Sequence, residues 1–65
     1  MCESNVYIMR DDKEELVMES VGSLVPSNGK ITLKSIFGEI MYIEGDLVDI
    51  DLIGHKIRLK EHCVQ

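Results

Sequence analysis

The thiol of Cys2 lies next to the amine of Met1, at the very start of the chain. The Met1 amine, the Cys2 amide nitrogen and the Cys2 sulfur can close two small fused chelate rings on one soft metal ion. Thiolate suits Cu(I), Zn(II) and Ni(II), and a deprotonated backbone amide favours a square-planar ion, which narrows the choice to Ni(II) or Cu(II). With Met1 removed, the Cys2 amine and thiolate form a bidentate pair, and two chains together supply two nitrogens and two sulfurs. The competing reading is that Cys2 merely begins the chain.

Other residues offer less. His55 sits in a short turn and His62 near the C-terminal end. Neutral imidazole is a good ligand for the same metals, but neither histidine belongs to a spaced metal motif, and a surface histidine is the plainer reading. Glu61-His62-Cys63 can hold metal adventitiously. Asp46, Asp49 and Asp51 resemble a calcium loop only superficially, lacking its glycine and closing bidentate Glu. Their alternation with Val48 and Ile50 predicts a solvated strand face instead. Gly22, Gly29, Gly38, Gly45 and Gly54 punctuate turns singly, so no phosphate loop exists. Ser, His and acidic residues are present, yet no spacing gathers them, and so small a chain offers little cleft. The sequence does not read as an enzyme.

The elements that must position these residues are short. At 65 residues the chain has room for a single domain, residues 1–65. A chain this size buries only about 60% of its unfolded surface, and natural solutions include disulfides, a metal or oligomerisation. The 45% apolar content excludes disorder. A net charge of −5 argues against nucleic acid, whose phosphates call for clustered Lys and Arg. Lys56, Arg58 and Lys60 alternate along one predicted strand, where they read as a solvated face balanced by nearby acids. No run of a dozen apolar residues occurs, which predicts no signal peptide, no membrane span and a cytoplasmic protein. Cys2 and Cys63 at opposite ends read as reduced thiols in that compartment, a disulfide requiring the two ends to meet.

The pattern is β throughout. Val6 and Ile8 alternate with Asn5, Tyr7 and Met9, followed by a polar turn at Arg10–Lys13. Glu14–Val21 reads as a strand, although Leu16, Val17 and Val21 also fit a helical spacing. Val25-Pro26-Ser27-Asn28-Gly29 marks a turn, with Asn28-Gly29 suited to positive φ. Ile31 and Leu33 begin the next strand, Ile36–Glu39 breaks it, and Ile40–Ile43 resumes. Gly45-Asp46 reads as another turn. Val48, Ile50 and Leu52 then face one way and Asp49 and Asp51 the other. Gly54-His55 turns the chain into Ile57 and Leu59. Five to six short strands with turns every 8–12 residues predict a small antiparallel barrel, in which any remaining sheet edge is a natural dimer contact.

Met1-Cys2-x-Ser4-x-Val6-Tyr7, opening a chain of this length, resembles the CooT family of small nickel-binding accessory proteins for carbon monoxide dehydrogenase maturation. The likeness continues through Glu19-Ser20-Val21, Ile36-Phe37-Gly38-Glu39 and Asp51-Leu52-x-x-His55-Lys56-Ile57-x-Leu59. It implies an all-β, SH3-like or OB-like barrel that binds Ni(II) at the N-terminal cysteine, here Cys2, and works with a client nickel enzyme or its maturation proteins. It also implies a homodimer, sharing the metal between chains, as one arrangement. Related hydrogenase chaperones pair their N-terminal cysteine with a later histidine, for which His55 is the candidate. The implied metal residues are therefore Met1, Cys2 and His55, with His62 or a second chain as alternative sources of the last ligand. A pure protein-interaction module without metal is the competing function, and a barrel binding RNA is a third.

Overall fold

In the computed structural model, which describes residues 3–62, five strands follow one another around a closed ring: β1 (Ser4–Arg10), β2 (Lys13–Ser27), β3 (Lys30–Ser35), β4 (Ile40–Asp51) and β5 (Lys56–Glu61). The fold is all-β, as the alternation predicts. Consecutive strands pair antiparallel. An odd number of alternating strands leaves the first and last running the same way, so the closing seam is parallel, with Asn5 opposite Lys56 and Met9 opposite Lys60. β1 and β5 therefore begin at the same end of the barrel.

Two hairpins use the turn chemistry that their residues allow. Asp11 and Asp12 have φ of 48° and 65° between Arg10 and its partner Lys13. Asn28 and Gly29 have φ of 52° and 77° between Ser27 and its partner Lys30. Positive φ at both central positions matches the right-handed twist of the flanking strands, and Asn, Asp and Gly tolerate it best. The inward side chains meet in one core of Val6, Ile8, Met18, Val21, Ile31, Leu33, Ile43, Ile57 and Leu59. Leu33, Leu59 and Val6 are wholly excluded from solvent.

Three sequence expectations change. First, Val25-Pro26-Ser27 belongs to β2, and the turn is confined to Asn28-Gly29. Pro26 is tolerated because β1 pairs with β2 only as far as Val21. Beyond that point β2 pairs with β3 alone, and a missing N–H there costs no ladder bond. Second, Gly45-Asp46 is not a turn, and neither is Gly22: β4 runs through the one and β2 through the other. The Cα of Gly45 lies against the Lys60 backbone so closely that a Cβ would overlap the Lys60 carbonyl oxygen. The glycine marks a close approach between strands, a role that sequence shares with turns. Third, the alternation expected from Val48 onward does not run unbroken along β4. The register slips between Leu47 and Asp49, so Val48 is the extra residue of a bulge. Leu47 and Ile50 stand opposite Leu59 and Ile57, whereas Asp49 and Asp51 stand opposite Arg58 and Lys56.

Candidate functional site

Met1, Cys2 and Cys63 lie outside the described residues. The structure does describe the end of the barrel where β1 begins. There Asn5 ties three segments together. Its backbone N–H donates to the His55 carbonyl at 3.0 Å. Its side-chain Oδ1 accepts from the Ser20 N–H at 3.3 Å. Ser20 in turn accepts the Ile36 N–H at 2.8 Å. The start of β1 is thus flanked by the His55 turn on one side and by the Ser20 bulge and the β3–β4 loop on the other.

His55 is held by its turn rather than by its ring. Asp51 Oδ1 accepts from the Ile53 N–H at 3.0 Å and the Gly54 N–H at 2.9 Å, an Asx-type closure. The Gly54 hydrogen bond first, then the Ile53 one, holds the Asp51 carboxyl below its ordinary range. Next in the chain, His55 adopts φ 55°, a conformation that histidine reaches more readily than most side chains. Its side chain is exposed at the barrel end from which β1 starts. Among the described residues the histidine ring that is hydrogen-bonded is that of His62, and an exposed imidazole such as that of His55 is a group that can ligate a soft metal. Among the described residues, no cluster of three or more His, Cys, Asp or Glu side chains forms a metal site by itself.

His62 is separated from His55 by the full length of β5. Its Nε2 lies 2.8 Å from Asp46 Oδ2, and its backbone N–H donates to the Glu44 carbonyl. The three aspartates do not converge either: Asp46 meets His62, Asp49 meets Arg58 and Asp51 closes its own turn. The basic stripe is balanced as the sequence predicts. Lys56 Nζ is 2.8 Å from Glu14 Oε1 and 4.9 Å from the Tyr7 ring centroid. Arg58 reaches Glu14 Oε2 at 3.3 Å and Asp49 Oδ1 at 2.9 Å. Lys56 is the main reason that the Glu14 carboxyl is held below its ordinary range.

Sequence reasoning missed Asn5, Ser20 and Ser35. Asn5 reads as a polar strand position, and its junction role depends on which strands meet. Ser20 takes φ 57° inside a strand, which its residue type does not signal. Ser35 is buried to 3% exposure and its Oγ accepts from the Phe37 and Glu39 N–H groups, both at 3.1 Å. A lone serine before Phe-Gly-Glu was the available hint.

A family model described as CO dehydrogenase accessory protein CooT matches residues 1–60. The crystal structure of a candidate CooT from Carboxydothermus hydrogenoformans superposes with a TM-score of 0.88 at 34% sequence identity, covering 95% of this chain and 100% of that one. A search of curated proteins finds no match. No helix in the described residues is long and apolar enough to cross a membrane. The fold agrees along nearly the whole chain, and the family match begins at the Met1-Cys2 pair: the chain belongs to the CooT family of CO dehydrogenase accessory proteins.

Proposed function

We propose that this chain is a nickel metallochaperone, not an enzyme, which carries Ni(II) at its N-terminal Cys2 for the maturation of a nickel enzyme such as carbon monoxide dehydrogenase. The Cys2 thiolate anchors the ion, the Met1 amine and the Cys2 amide nitrogen supply two further donors, and His55 supplies the fourth. The observation that carries this reading is the family match, which extends from Met1 through the His55 turn. The exposed His55 ring supports it, since Cys2 and Asn5 are three residues apart in sequence and three residues span at most about 10 Å. A terminal, solvent-facing site also suits a carrier, which must release its cargo. Without Met1, two chains are needed to complete the donor set, and a cytoplasmic homodimer is then the carrier.

Titration of Ni(II) into the wild type, Cys2→Ser and Cys63→Ser tests the proposal. The expected result is a thiolate-to-nickel charge-transfer band in the wild type and in Cys63→Ser, and its loss together with tight binding in Cys2→Ser. Unchanged stoichiometry and affinity in Cys2→Ser would sink the assignment. Mass spectrometry of the protein from its native host decides whether Met1 is part of the ligand set.

A further inference from the structure

The Ile36–Glu39 loop is not accounted for by metal binding. Phe37, the only phenylalanine in the chain, is 77% exposed at its tip. Tyr42, Leu52 and Ile53 are exposed to a similar degree, and what sets Phe37 apart is the hydrogen-bonded loop beneath it. The buried Ser35 Oγ accepts from the Phe37 and Glu39 amides. The Ser35 N–H donates to the Glu39 carbonyl at 2.9 Å, and the Gly38 N–H donates to the Ser35 carbonyl at 3.1 Å. Ile36 is tied to Ser20 across the barrel end. Gly38 has φ 91° with open space around it, so the backbone conformation, not crowding, requires glycine. Phe37 is therefore presented by a frame fixed in advance. A preorganised aromatic anchor loses little conformational entropy on binding, and such residues dominate protein interfaces.

Beside Phe37 runs an open groove. Val17, Ile40 and Met41 give it an apolar floor, and Glu19 and Glu39 stand in its lining. Among the described residues no Lys, Arg or His lines it. Among the described residues the ion pairs involve Glu14, Glu15, Asp46, Asp49 and Glu61, and leave Glu19 and Glu39 out. Their counter-charge is left for an incoming partner to supply. A second copy of this chain would bring the same acidic rim against itself, and a polyanion would be repelled, so charge complementarity selects a cationic occupant.

We infer that the Phe37 groove docks a partner protein through a segment whose apolar side chain is flanked by Lys or Arg. The groove lies at the barrel end where β1 starts, so a partner seated there is next to the N-terminal residues. The inference does not depend on nickel, and its test is made on metal-free protein, so it stands or falls separately from the metal proposal.

Panning a phage library of random peptides against the immobilised full-length protein, followed by anisotropy with the synthetic consensus peptide, tests it. The expected consensus is an apolar residue bracketed by Lys or Arg. Phe37→Ala should weaken that peptide about tenfold or more while the thermal melt stays that of the wild type. Glu19→Gln with Glu39→Gln should weaken it and flatten its salt dependence. Amide shifts in the wild-type protein on adding the peptide should fall in 17–20 and 36–41, a readout that holds even if a variant folds poorly. An absence of enriched peptides, an acidic consensus, shifts at another face, or affinity untouched by Phe37→Ala would overturn the inference. So would self-association or binding of single-stranded RNA that depends on Phe37.

Discussion

The backbone N–H of Asn5 donates to the carbonyl of His55 at 3.0 Å. This bond starts the parallel seam that closes the barrel. It joins the residues following Cys2 to the turn that carries the proposed imidazole ligand, although the two are fifty positions apart in sequence. The bond uses the His55 backbone and not its ring. Structure and ligation at His55 can therefore be separated by substitution.

His55→Asn is the informative variant. Asn tolerates the left-handed backbone that His55 adopts at φ 55°, so its melting temperature should stay within about 3 °C of the wild type. Its Ni(II) affinity should drop about tenfold or more, equivalent to at least about 1.4 kcal/mol. His55→Ala should lose the same affinity and also about 1 kcal/mol of stability through backbone strain. Calorimetric titration and thermal melts on both variants separate the effects. Wild-type affinity in His55→Asn removes His55 from the ligand set.

Much of this fold is legible from periodicity, because alternation and turn residues are local. Asp11-Asp12 and Asn28-Gly29 announce their own hairpins. Gly45 and Val48 were misleading for a shared reason: a glycine inside a strand looks like a turn, and a bulge leaves the hydrophobic count unchanged while shifting its phase. Only the partner strand, with Lys60 against Gly45 and Leu59 opposite Leu47, decides between them. The site divides in the same way. The residue types proposed as ligands, at Cys2 and His55, are visible as letters, and the likeness to a family suggests them as a pair. The junction at Asn5, which brings the His55 turn beside the start of β1, depends on the parallel seam and leaves no local mark.

Acid should weaken the barrel in a defined direction. Lys56 holds the Glu14 carboxyl below its ordinary 4.5, and the Gly54 amide holds Asp51 below its ordinary 3.8. As pH falls, the unfolded chain takes up these protons first. The stability they contribute is present above the ordinary values and is lost as pH drops through the lower folded ones. Melting temperature should be level near neutrality and decline below about pH 5. Glu14→Gln should melt lower than the wild type at pH 7 and show a shallower decline. Parallel curves at all pH values would remove Glu14 from the account.

Gly45 should be intolerant of even one added carbon. A Cβ there meets the Lys60 carbonyl oxygen and the Glu61 Cα, which are backbone and cannot rotate away. Gly45→Ala must therefore push β4 from β5, at a cost of about 3 kcal/mol or more. Gly22→Ala is the control, because its Cβ would meet Ile36 Cγ2 at 3.4 Å, an ordinary contact with a movable side chain. Its change should stay within about 0.5 kcal/mol. Urea unfolding of both variants checks the contrast.

Ser35→Ala should loosen the Phe37 loop before it loosens the barrel. The substitution removes the one acceptor shared by the Phe37 and Glu39 amides while leaving Leu33 and Leu59 packed. Stranding partly buried donors costs about 1–3 kcal/mol, and for a domain of this size each 1 kcal/mol lowers the melting temperature by about 4–8 °C. Hydrogen exchange locates the effect. The Phe37 and Glu39 amides should lose protection by local opening, whereas amides in the centre of β3 and β5 should speed only by the global loss. Uniform acceleration along the chain would mean that Ser35 holds the core together rather than the loop. Wild-type exchange at Phe37 and Glu39 would mean that the hydroxyl does not hold the loop at all.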